Sequence, residues 1–183
     1  MNKVKTETLM LMLLGVVILL MVANLGLFVR MNQLQSLVIQ SLEPFQRPIG
    51  LEVGTRAPLF TLTDTEGRSV ALQNFSGRQV LLAFSSTVCP ACQQIYPALK
   101  DFQELHPDIA VLLILRGSQE DNATLVRKEG LTFPVLNGQD GVVREYQVPA
   151  FPFFYLLDEQ GNVASRGIAL SLEQLESLVK IGQ

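Results

Sequence analysis

Cys89-Pro90-Ala91-Cys92 places the only two cysteines of the chain two residues apart. If Cys89 starts a helix and Cys92 lies inside its first turn, that spacing brings the sulfurs within bonding distance. Position then separates their tasks. Cys89 meets the positive end of the helix and its free N–H groups, which favour a thiolate, so it is the expected nucleophile. Cys92 lies deeper and is the expected resolving thiol, attacking the mixed disulfide that Cys89 forms. Two buried cysteines that merely fall three positions apart remain the bland alternative. Two cysteines in 183 residues cannot staple a disulfide scaffold and, without a His or Cys cluster, cannot complete a structural zinc site. No metal and no bound cofactor are expected. The single histidine, His106, falls at the expected end of the helix, where it reads as a satisfied or solvated cap rather than a copper ligand.

The elements around this pair follow from periodicity. Val80 to Ser85 is an unbroken apolar run, as expected of a strand covered on both faces, and it leads into the cysteine pair and a helix reaching about Leu105. Ala110 to Leu115 is a second such strand. Phe60 to Thr63 and Ser69 to Leu72 predict a hairpin through Asp64-Thr65-Glu66-Gly67. Asp121 to Glu129 predicts a helix closed by Gly130, followed by a short strand from Phe133 to Leu136 and a helical turn around Gly141 to Tyr146. Phe153 to Leu157 and Asn162 to Gly167 flank a second hairpin turn, and Ser171 caps a last amphipathic helix. These elements predict a mixed α/β sheet with helices on both faces and an N-terminal β-hairpin. Pro152, just before the strand Phe153 to Leu157, reads by itself as an edge marker, because only about 5% of X-Pro bonds are cis.

The chain is 48% apolar and 17% charged, but the apolar excess is uneven. Residues 9–29 carry no charge and, as a helix, would be roughly 31 Å long, the thickness of a bilayer's hydrocarbon core. A cleaved secretory signal has a shorter apolar region and a small-x-small site, which Met21-Val22-Ala23 matches poorly. The expected organisation is therefore a cytoplasmic N-terminus over residues 1–8, a transmembrane helix over 9–29, a stalk helix and proline linker over 30–48, and a folded domain over 49–183. Lys3 and Lys5 before the span, against Arg30 after it, put the N-terminus in the cytoplasm and the domain in the periplasm or another extracytoplasmic space. Leu34, Leu37, Val38, Ser41 and Leu42 repeat at helical spacing; a dimer seam is one reading, but fewer than two heptads favour a simple stalk or membrane-surface helix. Pro44 and Pro48 mark the boundary. From Ile49 onward ten basic residues face fifteen acidic ones, so the domain has no cationic field for a phosphate backbone, and no nucleic acid is expected as partner.

These residues together resemble the thioredoxin fold, and more narrowly the membrane-anchored redoxins of the cell envelope, the TlpA-like and AhpC/TSA group. The resemblance covers about Val53 to Lys180. It rests on Gly54-Thr55-Arg56-Ala57-Pro58, Gly67, the strand into Cys-Pro-Ala-Cys, Pro97, Tyr146, Val148, Pro152 and Leu156 to Asp158. It implies that Pro152 is a cis-proline beside the cysteine pair. Phe151 would then offer backbone groups to an extended client, with Pro90 and Ala91 forming the rest of the contact. A narrower likeness, to the accessory redoxins of methylamine utilisation, rests on Ser86 to Cys92, Gly130 to Pro134, Gly167 to Ala169 and Leu175 to Leu178. It implies a client enzyme containing disulfides and a membrane electron donor or acceptor. Three positions depart from relatives: Val88 stands for a tryptophan, Ala83 for a buried acid and Ile95 for a glutamate. With both acids missing, Cys92 would lose its proton to water or to the partner.

Two other functions compete with this reading. A thiol peroxidase of the AhpC/TSA kind wants Pro-x-x-x-Thr-x-x-Cys, and counting back from Cys89 gives Ser86 and Leu82. A copper-carrying metallochaperone wants a third soft or imidazole ligand near the pair, and none is evident in the sequence.

Overall fold

The computed structural model describes residues 15, 16, 18–21, 24–26 and 50–182. The chain divides into two compact units, Met1–Arg47 and Pro48–Gln183. In the first, the described residues are helical, and Asn24 donates from Nδ2 to the Leu20 carbonyl. Among the described residues no helix is long and apolar enough to cross a membrane. The expected span over 9–29 lies largely outside them, and Lys3, Lys5, Arg30, the stalk with its dimer seam and the proline linker lie wholly outside.

The second unit opens with a hairpin, β1 (Thr61–Thr63) against β2 (Ser69–Ala71), paired antiparallel. Asp64 shapes its turn. Its Oδ1 accepts the Glu66 and Arg68 N–H groups at 2.9 and 2.8 Å, and its Oδ2 accepts Arg68 Nε at 2.7 Å. The second strand ends before Leu72, because Leu72–Phe75 wind into one 3-10 turn. Then follow β3 (Val80–Ser86), α1 (Pro90–Leu105), β4 (Ala110–Arg116), α2 (Gln119–Glu129) and β5 (Val135–Asn137). The chain closes with α3 (Asp140–Glu145), β6 (Phe153–Leu157), β7 (Val163–Gly167) and α4 (Leu172–Ile181). Strand β5 begins two residues later than the sequence predicts, after Pro134, which has no N–H to give to a ladder.

The main sheet has the order β5-β4-β3-β6-β7. β3 is parallel to β4 and antiparallel to β6, which makes the sheet mixed. All seven residues of β3 are buried, as its unbroken apolar run requires. One core packs Leu81, Ala83, Leu113 and Phe154 against Ile95, Tyr96, Leu99 and Phe102 of α1 and Leu175 and Leu178 of α4, with Leu125 and Val126 of α2 at its margin. The other packs Leu82, Phe84, Ile114 and Tyr155 against Phe60, Leu62, Leu72, Val142 and Tyr146. Helices thus lie on both faces, but unequally. The N-terminal segment and hairpin bring enough apolar side chains to the second face that only the six residues of α3 are added there. This is the thioredoxin fold preceded by a β-hairpin.

Candidate active site

Strand β3 delivers the chain to the start of α1, and Cys89 occupies the N-cap position with extended backbone, φ −97° and ψ 109°. Pro90 stands just inside the helix, where its missing N–H costs no hydrogen bond. The Cys92 N–H donates to Cys89 Sγ at 3.2 Å, so the sulfur holds the place a capping oxygen usually takes. Cys89 and Cys92 form a disulfide with Cα atoms 5.3 Å apart. Cys89 is half-buried and Cys92 has no exposed surface. No acidic residue sits in the first turn of α1, and the sequence puts no basic one there either.

The cis-proline implied by the resemblance is present: the Phe151–Pro152 peptide is cis. Its place follows from strand register. Phe153 pairs with Phe84 across the antiparallel β3/β6 ladder, so the loop before β6 arrives where β3 ends. Pro152 is buried, Phe151 is half-buried, and the Phe151 carbonyl oxygen lies 3.5 Å from Cys89 Sγ. A disulfide sulfur carries no proton, so this is a contact rather than a hydrogen bond; a Cys89 thiol could donate there. Pro90 is exposed and Ala91 half-buried at the rim. Val88 is 86% exposed, and Ile168 and Leu170, in the turn after β7, are exposed at the same end of the sheet. The disulfide therefore sits in a largely apolar rim.

A groove of about 310 Å³ runs beside it, with Thr87, Val88 and Gln93 on one wall and Asp121, Thr124, Leu125, Lys128 and Glu129 on the other. A tighter cleft of about 80 Å³, which includes Arg56, Arg78 and Asp158 in its wall, lies at the opposite end of β3 and contains no cysteine. It takes no part in thiol chemistry.

Below the disulfide, Ala83 and Ile95 are buried, so the two positions noted as lacking an acid present only methyl and methylene groups to the core. The polar groups there leave little mark in the sequence. Ser85 Oγ and Tyr96 Oη are 2.9 Å apart and both residues are buried. Burial pushes the Tyr96 hydroxyl above its ordinary range; the Ser85 hydrogen bond works against this and the nearby Glu129 carboxylate adds to it. Their only sequence signal is a serine in phase with Leu81 and Ala83 on the face that α1 covers.

A second such group is Asn122, a fully buried amide on α2. Its Nδ2 donates to the Leu115 carbonyl and to Asn137 Oδ1, whose own Nδ2 donates to the Asp64 carbonyl. This ties α2, β5 and the hairpin together. Asn122 Oδ1 is buried without a partner and faces Gly117, where a Cβ would meet it at 2.6 Å and Thr87 at 2.8 Å. Glycine at 117 lets the active-site loop close onto α2.

His106 departs from its expected role as a satisfied or solvated cap. It does cap α1, its N–H donating to the Phe102 carbonyl, but its ring lies against Phe102 and Nε2 is buried without a partner. It is about 21 Å along the helix from Cys92, too far to share a metal ion with it. Among the described residues no group of three or more His, Cys, Asp and Glu side chains converges.

A thioredoxin fold with a cysteine pair capping its first long helix and a cis-proline against the sulfur defines a redoxin. Within that class, the model of the AhpC/TSA family matches residues 53–166, and the chain belongs to that family. The chain is 32% identical over 133 residues to the methylamine utilization protein MauD of Paracoccus versutus, covering 72% of this chain and 66% of that one. It is 30% identical over 142 residues to the thiol-disulfide oxidoreductase ResA of Bacillus cereus, covering 74% and 82%. The crystal structure of the thioredoxin domain of a thiol-disulfide oxidoreductase from Bacteroides vulgatus superposes with a TM-score of 0.64 at 23% identity, covering 70% of this chain and 99% of that one, and bears on the fold alone.

Proposed function

We propose that this protein is a membrane-anchored thiol–disulfide oxidoreductase that works outside the cytoplasm, exchanging disulfides with cysteine-containing client proteins through Cys89 and Cys92. The chain is a thiol–disulfide oxidoreductase of the ResA and MauD type. The observation that carries the reading is the asymmetry of the pair: Cys89 is half-buried at the helix N-terminus and accepts an N–H, while Cys92 is fully buried behind it. Cys89 thiolate attacks a client disulfide and forms a mixed disulfide. Cys92 then loses its proton, attacks Cys89 Sγ and releases the client thiolate. Run in reverse, the same steps oxidise a client dithiol. Pro152, Phe151, Pro90 and Ala91 form the surface against which the client chain lies.

Support for the anchor comes from the uncharged run 9–29 and from Lys3 and Lys5 ahead of it. The likeness to MauD suggests a client enzyme with its own disulfides and a membrane protein that recharges the pair. A peroxidase reading is disfavoured because Leu82 and Ser86 stand where its proline and threonine are wanted, and Leu82 is a buried residue in the middle of β3. Substitution of each cysteine in turn tests the proposal. On a non-reducing gel, Cys92→Ser should accumulate mixed disulfides with envelope proteins and Cys89→Ser few. Equal trapping by both would contradict the assigned roles.

A further inference from the structure

Cys92 must become a thiolate to resolve the mixed disulfide, yet it is fully buried among Ala83, Ile95 and Leu99, surroundings that disfavour charge on sulfur. The resemblance left this step to water or the partner. Tyr96 stands four residues after Cys92, on the same face of α1 one turn further on, and a helical side chain leans back toward the helix N-terminus. That lean carries its ring back over the turn that holds Cys92, and both residues are fully buried in the same core. Ser85 comes up from β3 on the face that α1 covers and meets it at 2.9 Å. Two hydroxyls carry two protons, and their mutual hydrogen bond uses one. The other proton is left to donate.

We propose that the Ser85–Tyr96 hydroxyl pair donates a hydrogen bond to the Cys92 thiolate and so lowers the cost of the charge that the resolving step puts on that sulfur, while the proton itself still leaves to water or to the partner. The proposal rests on the disulfide-exchange reading above. In the step itself, the Cys92 S–H bond breaks and its proton passes to water or to the departing client sulfur. The thiolate attacks Cys89 Sγ, the Cys89–client bond breaks and the client leaves as thiolate or thiol. The hydroxyl pair keeps its protons throughout, as suits a tyrosine whose ionisation is opposed by burial. Tyr96 and Ser85 are positioning residues here: they lower the cost of charge on sulfur and form no covalent bond.

The ionisable groups near Tyr96 are few. α1 contributes Cys92 and Lys100, and α2 contributes Glu129, which is paired with Lys128 at 3.4 Å and whose carbonyl accepts Lys100 Nζ at 2.9 Å. β3 and β4 present only Ser85 and the apolar Leu81, Ala83, Leu113 and Leu115 on this face.

The test titrates each thiol separately in the reduced full-length protein in detergent, by rate of alkylation with iodoacetamide against pH. Cys92 is read in a Cys89→Ser background and Cys89 in a Cys92→Ser background. Tyr96→Phe, which keeps the ring in the core, should raise the Cys92 midpoint by about one pH unit, a tenfold loss of thiolate at a given pH, and leave the Cys89 midpoint in place. Ser85→Ala should move Cys92 in the same direction and serves if the phenylalanine variant does not fold. The Tyr96→Phe shift should persist with Glu129→Gln; its disappearance would assign the effect to the carboxylate and overturn the proposal. An unmoved Cys92 midpoint, or equal movement of both cysteines, would also overturn it. The parent reading is checked apart, by whether Cys92→Ser forms a mixed disulfide with oxidised glutathione. If it does and Cys92 is insensitive to Tyr96, only the role of the hydroxyls fails.

Discussion

The Cys92 N–H points at Cys89 Sγ from 3.2 Å, so the resolving residue's own backbone caps the sulfur of the attacking one. Reduction keeps that backbone group in place and adds the positive end of a 16-residue helix beneath the freed thiolate.

No lysine, arginine or histidine lies between the cysteines, and Gln93 follows them. With the helix N-terminus as the main stabiliser of its thiolate, the reduced Cys89 midpoint is therefore expected to fall only moderately from the ordinary thiol range. Alkylation rate against pH measures it. A midpoint below about 4.5 would place the protein with strong oxidants and contradict a thiolate stabilised mainly by the helix N-terminus.

Asp64 controls the hairpin turn and, through its carbonyl, the Asn137 and Asn122 amides. Burial pushes its carboxyl up, but the Arg68 side chain and the Arg68 and Glu66 N–H groups outweigh this and hold it below its usual range. A depressed carboxylate contributes stability that is complete above its unfolded pKa near 3.9 and is lost as pH falls through the lower folded value. Asp64→Asn should cost about 1–3 kcal/mol at pH 7, read by urea unfolding, with the gap to wild type closing below about pH 4. A gap that stays constant to pH 2.5 would show that charge plays no part.

Gly50 is held where the folded unit begins. Its φ is +76°, and a Cβ there would fall on the Tyr155 hydroxyl, which accepts the Leu51 N–H at 2.9 Å and donates to the Tyr146 carbonyl. Arg166 Nη1 donates to the Gly50 and Leu51 carbonyls beside it. Gly50→Ala should lower stability by more than about 2 kcal/mol, whereas Gly54→Ala, with φ +87° and open space around it, should cost only the backbone strain of about 1–2 kcal/mol. Equal losses in urea unfolding would mean that the Tyr155 contact does not matter.

The proposed anchor and its proposed direction make a cellular prediction. Protease added to intact spheroplasts should cut between Pro44 and Pro48 or degrade the domain. Protection until the membrane is lysed would reverse the proposed topology.

Much of this molecule follows from local pattern. The apolar runs at Val80 and Ala110 could only be covered strands, and Ser171 and Gly130 bound their helices as a cap and a left-handed stop, with φ +63° at Gly130; the cap at Ser118, ahead of the helix start at Asp121 that the sequence predicts, emerged only in the structure. The cysteine spacing dictated the disulfide because one helical turn brings the two sulfurs together. Tertiary structure decided what lies across the sheet from that pair. Phe151 reaches Cys89 from 62 residues away only because β6 runs antiparallel to β3 in a particular register. Ser85 meets Tyr96, and Asn122 meets Asn137, because a strand face and a helix face were packed together. Periodicity tells which side of an element is covered. It cannot tell which side chain on the covering element will stand opposite, because that depends on the offset between elements distant in sequence.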